Sequence, residues 1–264
     1  MSRIGLVGGT GANLFAPLGR AGIQEVFTVY APDPIVLTSW HSHGHEVLFL
    51  SRHGANAQTP PHKVNYRGNI AAFKKAGVDQ IIALNAVGSI NAAGGAPGTL
   101  TLPDQLIDYT HGREQTFYDG DHATKCSDIK LPSELDHIEF TFPFDNGLRQ
   151  QLLQAAKIAR INITPSATCG VMQGPRLETA AEINRLERDG CNLVGMTSAP
   201  EASLAAEAAI PYACIAGIVN YAAGRAPLEA DGKQQPIHAQ MGAHIEQCMK
   251  ESHALLQAFL SEQS

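Results

Sequence analysis

The sequence has few charged residues and still fewer basic ones. Charged residues make up 17% of its 264 positions, with 19 Lys and Arg against 25 Asp and Glu, which gives a net charge of −6. No run of basic residues occurs, so binding to nucleic acid or to an anionic membrane is disfavoured. Hydrophobic residues make up 44%, which together with the modest net charge predicts a folded chain rather than a disordered one.

Paired cysteines and long apolar runs are also missing. The five cysteines are scattered and form no Cys-x-x-Cys motif, which argues against a disulfide framework and a thiolate zinc site. The longest apolar stretches, such as residues 212–221, are too short for a membrane-spanning helix, which needs about 20 residues. No charged segment followed by an apolar one precedes the first strand-like run, so we expect no secretory signal and a reducing, cytoplasmic location.

Short apolar runs alternate with stretches in which apolar residues lie three or four positions apart. The predicted strands are 4–7, 35–38, 46–51, 80–85, 105–109, 168–171, 192–196 and 212–219. The predicted helices are 65–76, 147–160, 177–188, 201–209 and a C-terminal helix whose apolar stripe runs over 241–260. This alternation predicts an α/β fold, a single domain over residues 1–264 with a central mixed, largely buried β-sheet flanked by helices. Residues 110–144 show no period and are expected to form an irregular functional loop.

Glycine, in contrast, is abundant, with 25 residues, and several glycines directly follow predicted strands. Gly8-Gly9-Thr10-Gly11 follows the first strand, where bare amides and the Thr10 hydroxyl could surround an anion. The dinucleotide fingerprint would need a third glycine and a later acidic residue, and a Walker loop would need Gly-Lys-Ser/Thr. None of these is present. A tight turn without a ligand and a phosphate site are the two interpretations that remain.

Arg52 and His53 close the predicted strand 46–51, at the end of a strand where α/β sheets place their ligands. Arginine can bind phosphate with two parallel hydrogen bonds, and histidine can add a third. A structural ion pair explains Arg52 equally well.

Three histidines alternate at His41, His43 and His45, where they could share one strand face and reach a metal ion. The glycine between two of them and the flanking strands favour a solvated hairpin tip. We predict no metal site, and the role of the cluster stays open.

Taken in order, the motifs resemble those of the trimeric purine nucleoside phosphorylase superfamily, in its methylthioadenosine and methylthioinosine phosphorylase branch. The resemblance covers residues 4 to about 225. The segments that carry it are Gly-Gly-Thr-Gly (8–11), Arg-His-Gly (52–54), Val-Asn-Tyr-Arg-Gly-Asn-Ile (64–70), Gly-Ser (88–89), Gly-Pro-Arg-Leu-Glu-Thr (174–179) and Gly-Met-Thr-Ser-Ala-Pro-Glu (195–201).

The resemblance implies a role for each matching residue. The phosphate site would comprise Thr10, Arg52, His53, Asn85, Ala86 and Thr197, although many family members carry threonine where this chain has Asn85. Met196 would lie under the ribose, and Leu177 stands where a phenylalanine often packs on the base. Glu178, Asn220, Tyr221 and Ala222 stand at the base-reading positions, and His238 lies close to the position that meets the 5′ substituent.

Hydrogen-bond chemistry then favours a 6-oxopurine over adenine. A 6-oxopurine donates from N1–H and accepts at O6 and N7, so it suits the acceptor-only Glu178 carboxylate and the Asn220 amide. Adenosine-type members carry Asp-x-Asp where this chain has Asn220-Tyr221-Ala222. The 5′ substituent stays open, because His238 would suit a hydroxyl, whereas Ile237 and Met241 could form an apolar lid over a methylthio group.

The implied reaction is phosphorolysis of an N-glycosidic bond, most simply S-methyl-5′-thioinosine and phosphate to hypoxanthine and 5-methylthioribose 1-phosphate. Asn220, His53 and Arg52 would be the catalytic residues, with phosphate as co-substrate and no metal or other cofactor. Alternatives are an inosine or guanosine phosphorylase, a methylthioadenosine phosphorylase, a nucleosidase that uses water, and a nucleoside-binding module without catalysis. The resemblance also implies a homotrimer, in which the 110–144 region, with Phe117, Tyr118 and His122, could cover a neighbour's site.

Overall fold

The computed structural model describes residues 2–9, 21–54, 56–118, 137–228, 236–238 and 241–263. Within these ranges, eleven strands form one sheet. The strands are β1 (Arg3–Gly8), β2 (Gly22–Val26), β3 (Ile35–Ser42), β4 (His45–Ser51), β5 (Gln80–Ser89), β6 (Leu100–Thr101), β7 (Gln105–Asp108), β8 (Ile163–Thr164), β9 (Thr168–Val171), β10 (Leu193–Gly195) and β11 (Tyr212–Tyr221). The helices are α1 (Tyr66–Lys75), α2 (Asn146–Ile158), α3 (Ala180–Arg188), α4 (Ser198–Glu207) and α5 (Met241–Glu262).

The sheet is mixed, as predicted. Its main path runs β2-β3-β4-β1-β5-β10-β9-β7, and β11 lies on the other edge of β5, followed by β6 and β8. Strand β1 is parallel to β4 and β5, and β11 is parallel to β5, whereas β2, β3 and β4 form antiparallel pairs. The central strands are buried along almost their whole length, as is typical of strands covered by helices on both faces.

Helices cover the sheet on both sides. Buried side chains of α1 and α4 form one apolar cluster with one face of the central strands, and those of α2 and α5 form a second cluster with the opposite face. Strand β5 contributes to both, with Ile81 in the first cluster and Ile82 in the second, because successive residues of a strand point to opposite faces.

Strand β5 changes partner along one of its edges. It pairs in parallel with β1 as far as Leu84, which lies opposite Gly8, and it pairs antiparallel with β10 only from Gly88 onwards. Residues 85–87 therefore have no strand partner on that edge within the described part of the chain. A gap of this kind, at the point where the direction of pairing reverses, is where α/β sheets bind ligands.

Each predicted strand and helix overlaps an observed one, but most boundaries differ by one or more residues. Strand 168–171 matches β9 residue for residue, whereas β2, β6 and β8 were not predicted from the sequence. The prediction that a helix begins near Glu178 is wrong: α3 begins at Ala180, after a capping box in which Thr179 and Glu182 bond each other's backbone N–H. Residues 110–118 and 137–144 contain no helix or strand, as expected, and His122 lies outside the described residues.

The histidine cluster occupies the β3–β4 hairpin. His43 and Gly44 form its turn with φ of 49° and 78°, and His41 and His43 are exposed. His45 is buried instead, with Nδ1 2.6 Å from the Ser2 hydroxyl, so the solvated tip includes only the first two. Among the residues described, no group of three or more His, Cys, Asp or Glu side chains is arranged to hold a metal ion. No helix in the described ranges is both long and apolar enough to cross a membrane.

Candidate active site

The gap beside β5 opens into a cavity of about 630 Å³. The predicted site residues that line it are Arg52, His53, Asn85, Ala86, Leu177, Glu178, Met196, Thr197, Asn220, Ala222 and His238. Tyr221 lines a second, adjoining cavity of about 280 Å³ instead, and Thr10 lies outside the described residues. The structure therefore brings together side chains that the sequence separates by more than 180 positions.

Arg52 is held by a buried ion pair. Its Nε and Nη2 each lie 2.7 Å from an oxygen of Glu201, and the two side chains are 1% and 0% exposed. The Tyr212 hydroxyl donates to the same carboxylate at 2.9 Å. Burial opposes a charged guanidinium, yet the Glu201 carboxylate outweighs it and raises the pKa of Arg52. The two interpretations of Arg52 are thus compatible: Nε and Nη2 form a structural ion pair, while the residue lines the cavity.

The third nitrogen of Arg52 lies beside Gly9. A Cβ on Gly9 would stand 3.0 Å from Nη1 of Arg52 and 3.5 Å from Nε2 of His53. The Arg52 backbone N–H donates to the Gly8 carbonyl at 2.8 Å, which ties the turn after β4 to the end of β1. A side chain at position 9 would crowd Nη1 of Arg52 and contact the His53 ring, so glycine leaves space beside both groups.

His53 presents one ring nitrogen to the cavity. Its Nδ1 lies 2.7 Å from the Thr59 carbonyl, which can only accept, so Nδ1 carries the proton. Burial lowers the pKa of His53, so the ring is neutral at pH 7 and Nε2 has its lone pair free.

Asn85 lies in the part of β5 that is paired with β11 but has no strand partner on its other edge within the described residues. Its Nδ2 is 3.0 Å from the Ser198 hydroxyl, whereas Oδ1 is buried without a hydrogen-bond partner among the described residues. Turning the amide over would let Ser198 donate to Oδ1 and would point Nδ2 away from that hydroxyl. Either orientation keeps one bond to Ser198, so the side chain can offer a ligand an acceptor or a donor.

Met196 and Thr197 lie between β10 and α4. Thr197 is buried and occupies the residue before the helix, but its side chain makes no capping bond to the helix. Helix α4 is interrupted near its start, because Ala199 has non-helical φ and ψ angles of −116° and 135°. Thr197 therefore lies before this kink rather than at the N-terminus of a continuous helix.

Leu177 and Glu178 lie on the loop between β9 and α3 and line the same cavity. Leu177 is 40% exposed, and Glu178 is half-buried with Oε1 unpartnered in the described part of the structure. Burial raises the pKa of the Glu178 carboxyl. An unpartnered carboxylate oxygen is costly, and a ligand N–H would satisfy it.

Asn220 is aimed at the cavity by a β-bulge. The register between β11 and β5 shifts between Ile218 and Asn220, and such an extra residue re-aims the side chains after it. One N–H of Nδ2 donates to the Tyr221 carbonyl at 2.7 Å, which leaves the second N–H and Oδ1. Gly88 permits this arrangement, because a Cβ there would stand 3.1 Å from Nδ2.

Sequence reasoning missed three groups that organise the site. Glu201 was noted within the motif 195–201, but no role was given to it, although a glutamate among small and apolar residues needs a cationic partner once buried. Tyr212 bonds Glu201, and Ser198 bonds Asn85. Neither residue lies in a sequence pattern that indicates this contact.

Comparison with known proteins defines the family. Residues 3–261 match the family model of the Phosphorylase superfamily, and the chain belongs to this superfamily. The predicted resemblance and fold class are thereby confirmed.

Individual relatives have related names. A protein of Xylella fastidiosa described as a probable S-methyl-5′-thioinosine phosphorylase is 45% identical over 221 residues, which cover 84% of this chain and 89% of the relative. The 6-oxopurine nucleoside phosphorylase of Pyrococcus furiosus is 41% identical over 227 residues, covering 85% and 81%. Among solved structures, methylthioadenosine phosphorylase from Schistosoma mansoni in complex with tubercidin matches with a TM-score of 0.83 and 26% identity, over all of this chain and 92% of that chain.

Glu201→Gln should destabilise the protein strongly, because it leaves the buried Arg52 charge without its counter-ion. Breaking one side of a buried pair costs about 3–5 kcal/mol. The matched control is Glu46→Gln, which removes the partly exposed pair with Arg3 and should cost about 1 kcal/mol or less. Urea denaturation of both variants measures the difference. Equal losses for the two would contradict the assigned importance of the buried pair.

Proposed function

We propose that the protein cleaves purine nucleosides by phosphorolysis and that S-methyl-5′-thioinosine is its preferred substrate. The products would be hypoxanthine and 5-methylthioribose 1-phosphate. One observation carries the proposal: a single cavity is lined both by the Arg52–His53 turn and by Glu178, which has an unpartnered carboxylate oxygen within the described structure. These groups suit an anion and the N–H edge of a base.

Phosphate binds beside Gly9, to Nη1 of Arg52, to His53 and to Thr197 in front of α4. Because His53 is neutral with Nε2 unprotonated, it accepts the hydrogen bond of a protonated phosphate oxygen. Glu201 neutralises the charge of Arg52, so affinity comes from directed hydrogen bonds rather than from a large positive field. Thr10, Ala86 and Asn85, with its amide turned, complete the set.

In this proposal the purine binds over Met196 and beside Leu177. The Glu178 carboxylate accepts from N1–H, and the free N–H of Asn220 donates to N7 or O6. Adenine presents no N–H at position 1, so Glu178 would be left unpaired. Mismatches of this kind can cost about 10⁴-fold in discrimination.

Catalysis follows from placing charge around the breaking bond. As the bond from C1′ to the purine loosens, the sugar gains oxocarbenium character. The phosphate charge stabilises this cation and one phosphate oxygen forms the new bond to C1′. Asn220 stabilises the negative charge that develops on the purine. Neither a covalent enzyme intermediate nor a metal or organic cofactor is part of this proposal.

The 5′ substituent extends toward Ile237, His238 and Met241, all of which line the main cavity. The adjoining cavity shares Ile237 and Met241 with it and is lined largely by apolar side chains, which favours a methylthio group. His238 supports the alternative, an inosine or guanosine phosphorylase, since it could bond a 5′-hydroxyl. Tyr221 lines the adjoining cavity, so it would contact only the 5′ substituent of the substrate. A role in purine salvage, cytoplasmic location and homotrimeric assembly belong to the same proposal and derive from the family resemblance.

A nucleoside panel tests the proposed reaction. Methylthioinosine, inosine, guanosine, adenosine and methylthioadenosine are incubated with the protein, with and without phosphate, and base release is measured. We expect hypoxanthine release that requires phosphate, with the highest kcat/KM for methylthioinosine and low values for both 6-amino nucleosides. Undiminished turnover without phosphate would indicate a nucleosidase, and tight binding without any turnover would indicate a binding module.

Asn220→Asp should shift base preference toward methylthioadenosine, because a carboxylate accepts from the 6-amino group and no longer donates to O6. The measurement is the ratio of kcat/KM for methylthioinosine to that for methylthioadenosine. The control is Asn184→Asp, the same chemical change at an exposed position of α3. A ratio unchanged from wild type would refute the assignment of Asn220 as a base reader.

Protonation of Glu178 should make kcat/KM fall on the acidic side of the pH profile, and this fall is called the acidic limb below. As pH falls through the pKa of Glu178, which burial raises, the carboxylate gains a proton and loses its acceptor for N1–H, so kcat/KM for methylthioinosine should fall. Glu178→Gln should lower kcat/KM at pH 7 and remove this limb, whereas Glu25→Gln on the exposed strand β2 should preserve it. An identical acidic limb in Glu178→Gln would exclude Glu178 as its source.

A further inference from the structure

Arg113 lies in the irregular region after β7 and does not line the cavity, yet its guanidinium connects the loops that do. Nη1 donates to the carbonyls of Met196 and Ala199 at 2.8 and 2.7 Å. Nη2 donates to those of Gln173 and Met172 at 2.8 and 3.2 Å. Nε bonds Oε1 of Gln173 at 3.1 Å, so all three nitrogens bond one loop or the other.

The two loops begin at neighbouring strands. Strands β9 and β10 pair in parallel up to Val171 and Gly195, and one further bond joins Met172 N–H to the Gly195 carbonyl at 2.8 Å. Beyond this point the chains separate. One leads to Glu178 and the other to Thr197, and Arg113 bonds both where they diverge. The distance between the proposed base-reading and phosphate-binding groups therefore depends on this guanidinium.

Arg113 is itself held in place from outside the cavity. Its guanidinium lies 5.5 Å from the centre of the Tyr66 ring, and Nη1 is 3.3 Å from the Tyr66 hydroxyl. Four residues later, the Phe117 backbone N–H donates to Glu207 at 2.8 Å, and the buried Phe117 ring packs on Tyr30. The segment is thus fastened to α1 and to the end of α4.

The charge of Arg113 differs from that of Arg52. Arg52 is paired with a buried carboxylate, whereas the acceptors within hydrogen-bond distance of Arg113 in the described structure are carbonyls, an amide oxygen and a hydroxyl. Its guanidinium bonds the carbonyls of Met196 and Ala199, the residues on either side of the Thr197–Ser198 pair. It therefore fixes the backbone before and after Thr197.

We propose that Arg113 is a positioning residue for phosphorolysis, which fixes the spacing of the Glu178 and Thr197 loops through its bonds to their backbone carbonyls. This inference rests on the proposed function. It extends the site to a residue outside the cavity, and it gives the irregular region after β7 a task within its own subunit.

The test compares two arginines that both hold carbonyls. Arg149 on α2 donates to the carbonyls of Pro103, Leu102 and Pro165, away from the cavity, and is the matched control. Arg113→Lys keeps the positive charge but loses the planar guanidinium that bonds both loops at once. Arg113→Gln loses the charge as well as the guanidinium. Each is compared with Arg149→Lys and Arg149→Gln in melting temperature and in kcat and KM for phosphate and methylthioinosine.

We expect Arg113→Lys to lower kcat/KM by about 10- to 100-fold, since misplacement by about 1 Å can cost 100-fold, and to lower kcat as well as raise the KM for phosphate. Arg113→Gln should lose more, while the Arg149 variants lose melting temperature but keep kcat/KM within about twofold of wild type. Folded Arg113 variants with wild-type kinetics would overturn the proposal. So would kinetic losses no larger than those of the Arg149 variants, or Arg113→Lys and Arg113→Gln that both fail to fold, because Arg113 would then act only in stability.

Binding separates this inference from the proposed reaction. If the wild-type protein turns over no nucleoside of the panel, the proposed function fails, and calorimetric titration with inorganic phosphate and with hypoxanthine still tests Arg113. We then expect Kd values at least about tenfold weaker in the Arg113 variants than in the Arg149 variants. Equal Kd values would overturn the positioning role.

Discussion

The buried pair of Arg52 and Glu201 is the interaction on which the site most depends. It joins residues 149 positions apart in sequence, one in the turn after β4 and the other in the first turn of α4. Neither charge could remain in this interior alone, because removing it from water costs several kcal/mol without a partner. The ends of β1, β4 and α4 are therefore fixed relative to one another, and the part of the cavity proposed to bind phosphate is formed before any ligand arrives.

Much of the fold could be predicted from the sequence, because buried strands and amphipathic helices leave a direct trace in it. Strands β9 and β11 and helices α1, α2 and α5 follow such patterns. The exceptions have physical reasons: β2 is a mostly exposed edge strand with the sequence Gly-Ile-Gln-Glu-Val, and β6 and β8 have two residues each. Helix α3 begins later than its apolar period indicates, because Thr179 caps its N-terminus through a capping box and so makes Ala180 its first residue.

The candidate site could be predicted in part. Motifs after strands located Arg52, His53, Thr197 and Asn220, since strand ends gather at one edge of a parallel sheet. The partners of these residues could not be found in the same way. Glu201 bonds Arg52, and Arg113 bonds backbone carbonyls, in both cases across a long sequence separation. No local spacing in the sequence therefore indicates their roles. Local motifs can therefore indicate which residues line the cavity. The residues that hold these side chains in place become evident only in the folded structure.

The unpaired edge of β5 has a consequence for affinity. Backbone groups of residues 85–87 that face this gap must be solvated when the site is empty, as polar groups of a strand edge are. A nucleoside or phosphate that bonds them displaces that water, so each new hydrogen bond replaces an old one and adds little net free energy. The hydrogen bonds made at this edge therefore determine mainly the orientation of the ligand, and burial of the purine ring contributes more to the affinity for a nucleoside.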